Sequence, residues 1–250
     1  MSHYPHLLNP LPVAGVTLPN RTVMGAMHTR LETLDRPQER LAAFYAARAK
    51  GEVGLILTGG YAPVPEGVMD EGGLVLDRPK QLAEHRLITD AVSRAGGRIV
   101  LQILHAGRYA KVASCVSPSP GKARINVFPP RPLSTEEVWA TVERFANTSA
   151  LAELGGYCGV EIMGSEGYLI NEFTAALTNQ RSDEFGGSFD NRIRLPLEIV
   201  KAVRARVSRE FIVISRISAI ALMEGGRPGA EVAEFARRVQ AAGADMINTG

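Results

Sequence analysis

The chain has 250 residues, 26.9 kDa and 45% hydrophobic residues, enough for one large domain with a substantial core. Its formal net charge of +2 comes from 28 Lys and Arg against 26 Asp and Glu spread along the chain, which excludes the basic stripe that nucleic-acid binding needs. Two cysteines, Cys115 and Cys158, lack metal-ligand spacing; they exclude a disulfide scaffold and favour a reducing compartment, with the cytoplasm as the expected location.

The N-terminus lacks the charged start and apolar core of a signal peptide, and no apolar run is long enough to predict a membrane span. Pro5, Pro10, Pro12 and Pro19 predict an irregular lead-in through residue 19. A first strand is expected over Arg21 to Met27. Pro37 then opens a helix rich in good helix formers that ends at Gly51. The apolar run Val53 to Thr58, stopped by Gly59 and Gly60, reads as a second, buried strand. After a loop from Tyr61 to Pro79, Ile88, Val92 and Ala95 share a helical face closed by Gly96 and Gly97. Ile99 to Leu104 is the third strand. His105 to Leu133 is rich in proline and has no sustained period, a loop too long to be mere connection, expected to form a wall or lid of a site.

Ser134 and Glu137 make a capping box for a helix with Val138, Val142, Phe145, Ser149 and Ala152 on one face. Gly155 and Gly156 end it. The fourth strand, Val160 to Met163, breaks at Gly164 into a polar loop that carries Glu166 and Tyr168, an arrangement in which a scaffold strand delivers functional side chains. A helix from Asn191 to Val207, a strand from Phe211 to Arg216, a helix from Ala230 to Ala242 and a strand from Asp245 to Asn248 complete the chain. Continuously apolar strands alternating with helices predict βαβ units and a parallel sheet covered on both faces. The result is either an open α/β sheet or part of a (β/α)8 TIM barrel. Because Gly250 falls at the end of the sixth strand, the expectation is a single incomplete domain over residues 1–250, truncated at its C-terminal end after about six units.

In a parallel barrel the C-terminal strand ends share one rim. The predicted strands bring Ala26, Met27 and His28, Gly60, Gln102 and His105, Glu166 and Tyr168, and Arg216 to that rim. Gln102 both donates and accepts, as the edge of a heteroaromatic ring requires, and Arg216 offers a permanent positive charge. A positioned phenol such as Tyr168 can donate a proton. Each has a plainer reading beside this one: Tyr168 packing under its loop, Gln102 and Arg216 as surface or salt-bridge residues, His28 and His105 as structural histidines.

The string from Val160 to Gly187 resembles the signature of the old yellow enzyme family, with Gly167 to Leu169, Asn171 to Phe173 and Asn179 to Gly187 in the family's order. LPNRTVMGAM and LQILHAGR extend the resemblance over essentially the whole chain. Within the family, MHT at Met27 to Thr29 and MGSEGYLINEF are most similar to the N-terminal part of the bacterial NADPH-dependent 2,4-dienoyl-CoA reductases. The resemblance implies a TIM barrel holding FMN through Ala26, Met27, His28, Gly60, Gln102 and Arg216. It implies Tyr168 as proton donor, with Glu166 orienting it or a later histidine, and a conjugated enoyl or dienoyl thioester of fatty acid β-oxidation as the small-molecule substrate. Full-length relatives add FAD, a [4Fe-4S] centre and NADPH, whose sites are not in this chain. Met163 and Glu166 stand where the ene-reductase branch holds a carbonyl with a His/His or His/Asn pair, which disfavours simple enals and quinones. Leu177 and Ala221 depart from the basic and acidic residues considered for those positions in the dienoyl-CoA branch. The alternatives are another NADH:flavin oxidoreductase or amine dehydrogenase of the family, or an inactive fragment without bound flavin.

Overall fold

The computed structural model describes residues 4–220 and 226–250. Six parallel strands form one sheet in strictly sequential order: β1 (Val23–Met24), β2 (Leu55–Tyr61), β3 (Ile99–Ile103), β4 (Gly159–Gly164), β5 (Ile212–Ile217) and β6 (Met246–Thr249). Sequential order with helical crossovers is the winding of a (β/α) barrel wall, and β1 and β6 are its two edges. Strands β2, β3 and β4 are buried along their whole length, which is why they read as unbroken apolar runs.

The covering helices are α1 (Pro37–Lys50), α2 (Leu82–Arg94), α3 (Thr135–Leu154), α4 (Leu169–Thr174), α5 (Phe189–Arg192), α6 (Arg194–Arg206) and α7 (Gly229–Ala241). Pro37 occupies the first turn of α1, where its missing N–H costs nothing. The capping box of α3 forms as predicted: the Glu137 amide donates to Ser134 Oγ at 3.3 Å and the Ser134 amide to Glu137 Oε2 at 2.8 Å. Between helices and sheet lies the main core, in which Phe145, Phe173, Phe185 and Phe235 are fully buried. Each such side chain stabilises the fold by roughly 1.5–3 kcal/mol.

Three expectations need correction. The N-terminal lead-in is not wholly irregular: Leu11–Val13 and Val16–Leu18 form an antiparallel hairpin. Leu11, Val13, Val16 and Leu18 pack on Leu55, Val100 and Ile212, residues at the strand starts, so the hairpin plugs the end of the sheet opposite the rim. The first strand pairs only at Val23 and Met24, and the following residues run free of the ladder toward the rim. Gly59 and Gly60 do not stop β2 but lie within it, at a register shift between Leu57 and Gly60. Such a bulge re-aims the strand beside a site. The long excursion after β3 also contains a two-residue parallel ladder, Val116–Ser117 with Arg131–Pro132.

Candidate active site

The bulge in β2 sets Gly60 opposite Gln102 on β3. A Cβ on Gly60 would come within 2.7 Å of the Leu104 Cβ and 3.2 Å of Gln102 Oε1, so only glycine lets the strand lie this flat. Thr58 Oγ1 accepts from the Gln102 amide at 3.0 Å, and the Tyr45 hydroxyl accepts from the Gly59 amide at 3.0 Å, which fixes the bulge from both sides.

The orientation of Gln102 is imposed from below. Its Nε2 donates to Glu161 Oε2 at 2.7 Å, and Asn248 Nδ2 on β6 donates to Glu161 Oε1 at 2.6 Å. Glu161 is fully buried, so amide donors compensate its loss of water. Because the Gln102 amide group is turned toward this carboxylate, its Oε1 is left as an acceptor at the rim, bonded to nothing among the described residues. Sequence reasoning missed Glu161 and Asn248. The available signal was a lone acid inside an apolar strand, in the run Val160 to Met163.

At the end of β4 the backbone turns through Glu166 and Gly167, both in the left-handed region, with φ of 61° and 82°. Gly167 tolerates this freely; its Cβ would also collide with Tyr109. The turn seats Tyr168 as the N-cap of α4, and the Leu169 amide donates to His105 O at 3.0 Å to hold it there. The Tyr168 ring lies edge-on to Tyr109 at 6.2 Å between centroids, within an apolar wall that includes Leu104, Met163 and Phe128. The excursion after β3 therefore does form a wall of the site. Tyr168 is half-buried, and its hydroxyl makes no hydrogen bond among the described residues. Burial, and to a lesser degree Glu166, raise its pKa, with Arg216 opposing, so the phenol stays protonated at neutral pH.

Glu166 does not reach Tyr168 as an orienting hydrogen-bond partner. It pairs instead with Arg216 Nη2, while its own amide donates to Ser218 Oγ at 3.2 Å. Arg216 sits in β5 opposite Met163, and its Nε is buried without a partner among the described residues. Met27 and His28 come to the end of β2 along the segment after β1: a Cβ on Gly59 would touch Met27 O at 2.8 Å, and His28 lines a cavity with Gly60 and Leu104, whereas Ala26 packs on the cluster that holds Leu55, Leu57 and Val100. His28 also lies 3.5 Å from Glu32. His105 takes its plainer reading. It is buried beneath Gly67, accepts from the Gly107 amide at 3.2 Å, and burial pulls its pKa down to about 4, so it is a neutral packing histidine.

The later half of the family-like string is structural. Asn179 Nδ2 donates to Phe173 O and Phe185 O, both at 2.7 Å. Arg181 bonds Asp183 and the carbonyls of Pro118 and Leu133, and Thr135 Oγ1 donates to Asp183 at 2.7 Å. These bonds tie the loop after β4 to the excursion after β3 and to the start of α3. Ala221 lies outside the described residues. Among the described residues no cluster of His, Cys, Asp and Glu is arranged to hold a metal, and no helix is long and apolar enough to cross a membrane.

Residues 6–249 match the family model described as the NADH:flavin oxidoreductase / NADH oxidase family. The NADH oxidase of Thermoanaerobacter brockii is 33% identical, over 99% of this chain and 39% of its own length. The NADPH dehydrogenase of Bacillus licheniformis is also 33% identical, over 97% of this chain and 72% of its own. Among solved structures, a 2-naphthoyl-CoA reductase in complex with 2-naphthoyl-CoA superposes with a TM-score of 0.92 at 26% identity, over 99% of this chain and 41% of that one. Morphinone reductase in complex with tetrahydroNAD gives 0.87 at 28%, over 98% and 73%. The chain spans about a third to two fifths of the length of the first curated relatives it matches.

Proposed function

The chain belongs to the NADH:flavin oxidoreductase / NADH oxidase family, the old yellow enzymes, and on that premise we propose that it is the FMN-binding part of an NAD(P)H-dependent oxidoreductase that reduces a conjugated enoyl or dienoyl thioester. The fit to FMN rests on donors and acceptors left open at the rim. Gln102 Oε1 is an acceptor for a ring N–H, and the Nε of Arg216, two strands away on β5 and unpartnered among the described residues, is a donor. The glycines of β2 leave the flat surface that a ring system needs. Ala26, Met27 and His28, on the segment after β1, would hold its edge.

When bound, reduced FMN would supply a hydride to the β-carbon of the conjugated system. The chain's own residues do the rest. Arg216 would offer a permanent positive charge to the ring, which accumulates negative charge on reduction. Tyr168 holds a proton at its hydroxyl and delivers it to the neighbouring carbon, as a general acid. Glu166 fixes the Arg216 guanidinium in place. The apolar wall of Leu104, Met163 and Phe128 limits water around the phenol.

The observation that carries this reading is the Tyr168 hydroxyl: raised in pKa, without a hydrogen-bond partner among the described residues, and presented on a turn of left-handed backbone between the apolar wall and the Arg216–Glu166 pair. The thioester preference has two supports, the solved acyl-CoA reductase neighbour and the absence of an imidazole or amide pair at Met163 and Glu166 to grip a simple carbonyl. The test compares kcat/KM for a 2,4-dienoyl-CoA with that for 2-cyclohexenone. A higher value for the thioester is expected; a higher value for the enone overturns the substrate class, and a protein purified free of flavin that does not take up FMN overturns the cofactor.

A further inference from the structure

The short 3-10 turn Gly107–Tyr109, just past the end of β3, is held from two directions. From α4, Glu172 Oε1 accepts from the Arg108 amide at 2.8 Å. From the excursion after β3, the buried Asn126 donates through Nδ2 to Arg108 O and to Ala110 O, both at 2.7 Å. One side-chain amide thus bridges the carbonyls on either side of Tyr109, and buried polar groups bonded in this way make a backbone segment rigid. Tyr109 is the residue whose ring this bracket places.

The half-buried Tyr109 ring lies on the turn that leaves β4. A Cβ at Gly167 would fall 2.4 Å from Tyr109 Cε2, closer than a real side chain can come, and 3.2 Å from its hydroxyl oxygen. The glycine at 167 therefore serves a close approach as well as the left-handed φ of 82°. Seated there, the Tyr109 ring meets that of Tyr168 edge-on, with centroids 6.2 Å apart and planes at 84°. The Arg108 guanidinium carbon is 5.6 Å from the Tyr109 centroid, within the range of a cation–π contact.

An edge-to-face pair is specific in angle as well as in distance, so it restrains how the Tyr168 ring turns about its side-chain bonds. For a group that delivers a proton this restraint matters to rate, because a displacement of about 1 Å can cost on the order of a hundredfold. We infer that Tyr109 is a positioning residue for proton delivery: its ring, seated on Gly167, sets the direction of the Tyr168 phenol. The inference rests on the reading of Tyr168 as the proton donor, and it adds the residue through which that donor is aimed.

The test uses the FMN-loaded full-length protein and follows flavin absorbance in the two half-reactions, reduction by NAD(P)H and reoxidation by a 2,4-dienoyl-CoA. Tyr109→Leu removes the ring and keeps an apolar side chain. It is expected to slow reoxidation roughly tenfold or more, while the rate of reduction and the thioester concentration at half-saturation stay at parental values. Tyr109→Phe, with the ring intact, is expected to retain the parental rate. In a Tyr168→Phe background Tyr109→Leu is expected to cost nothing further, since two residues that act through one proton are not additive. Tyr109→Met provides the same comparisons should the leucine variant not fold. Parental reoxidation in these variants, equal losses in both half-reactions, a loss in Tyr109→Phe as large as in Tyr109→Leu, or additive losses with Tyr168→Phe overturns the inference and leaves the donor assignment standing. Undiminished reoxidation in Tyr168→Phe alone defeats the donor assignment, and this inference with it.

Discussion

Arg181 and Arg216 stand at two ends of the same piece of architecture, the loop that leaves β4 and the strand beside it, and their surroundings are opposite. Arg181 has a side chain only 9% exposed, and it is engaged by Asp183 and by the carbonyls of Pro118 and Leu133. Its region has no donor to spare: Asn179 bridges two carbonyls, Asp183 also accepts from Thr135 and from the Phe185 amide, and a Cβ on Gly186 would overlap Arg181 O. Among the described residues Arg216 has one side-chain partner, the half-exposed Glu166, and a buried Nε with none. A region whose hydrogen bonds are exhausted serves as scaffold, and one that leaves polar atoms buried and open is prepared for something else to complete it.

The largest test of that contrast is Arg181→Ala. It leaves the Asp183 carboxylate without its cation and two carbonyls without a donor, and it should destabilise the fold by roughly 3 kcal/mol, read from the urea midpoint. FMN bound per folded molecule should not change. A variant of parental stability would show that the knot is ornamental. The same pair has an acid signature. Arg181 holds the Asp183 pKa down to about 2, so its contribution is fully present above the ordinary carboxylate value and is lost as pH falls toward 2. In Asp183→Asn that acid limb of the stability curve should be missing.

On the open side, Tyr168→Phe keeps the ring against Tyr109 and removes the proton. NAD(P)H-dependent flavin reduction should persist while turnover of the thioester falls about a hundredfold, the weight of a general acid. Equal loss of both half-reactions would make Tyr168 a packing residue. Arg216→Ala should lower FMN affinity roughly tenfold, measured as flavin retained after gel filtration, with little change in stability because Glu166 is free to turn to water.

Much of the scaffold was legible because its causes are periodic. Apolar runs named β2 to β6, and Ser134 with Glu137 named the start of α3 to the residue. The hairpin before β1 was not legible: prolines argued against a helix there and said nothing of a three-residue ladder that exists because it plugs the strand starts. The rim was legible as a set of residue types at strand ends: Gly60 stands opposite Gln102 and Arg216 opposite Met163 on neighbouring strands. Their partners were not. That Glu166 faces Arg216 depends on a left-handed turn at Glu166, and that Gln102 presents its oxygen depends on Glu161 and on Asn248, which is 87 residues from Glu161. Sequence spacing carries no information about such cross-strand choices.

Glu172 lies at the seam between the two regions and should show the smallest effect. It follows Tyr168 by one turn of α4, and its amide donates to Tyr168 O at 2.9 Å. Its carboxyl is half satisfied: Oε1 accepts from the Arg108 amide at 2.8 Å, while Oε2 is buried with no partner. Burial raises its pKa to about 8, although the Arg108 amide and charge pull the other way. The sign follows from linkage. A carboxyl whose folded pKa lies above its ordinary value of 4.5 favours folding when neutral, so its contribution is fully present below that value and is lost as pH rises through about 8. Glu172→Gln holds the neutral form at every pH. It should therefore match the parent in mild acid and exceed it by about 1 kcal/mol above pH 8, the cost of a buried group left unsatisfied. Because Glu172 braces the turn of helix that Tyr168 caps, the alkaline fall in turnover should move in parallel. Superimposable stability curves for parent and variant across this range would mean that Glu172 titrates as an ordinary surface acid and that the seam is as fully satisfied as the knot around Arg181.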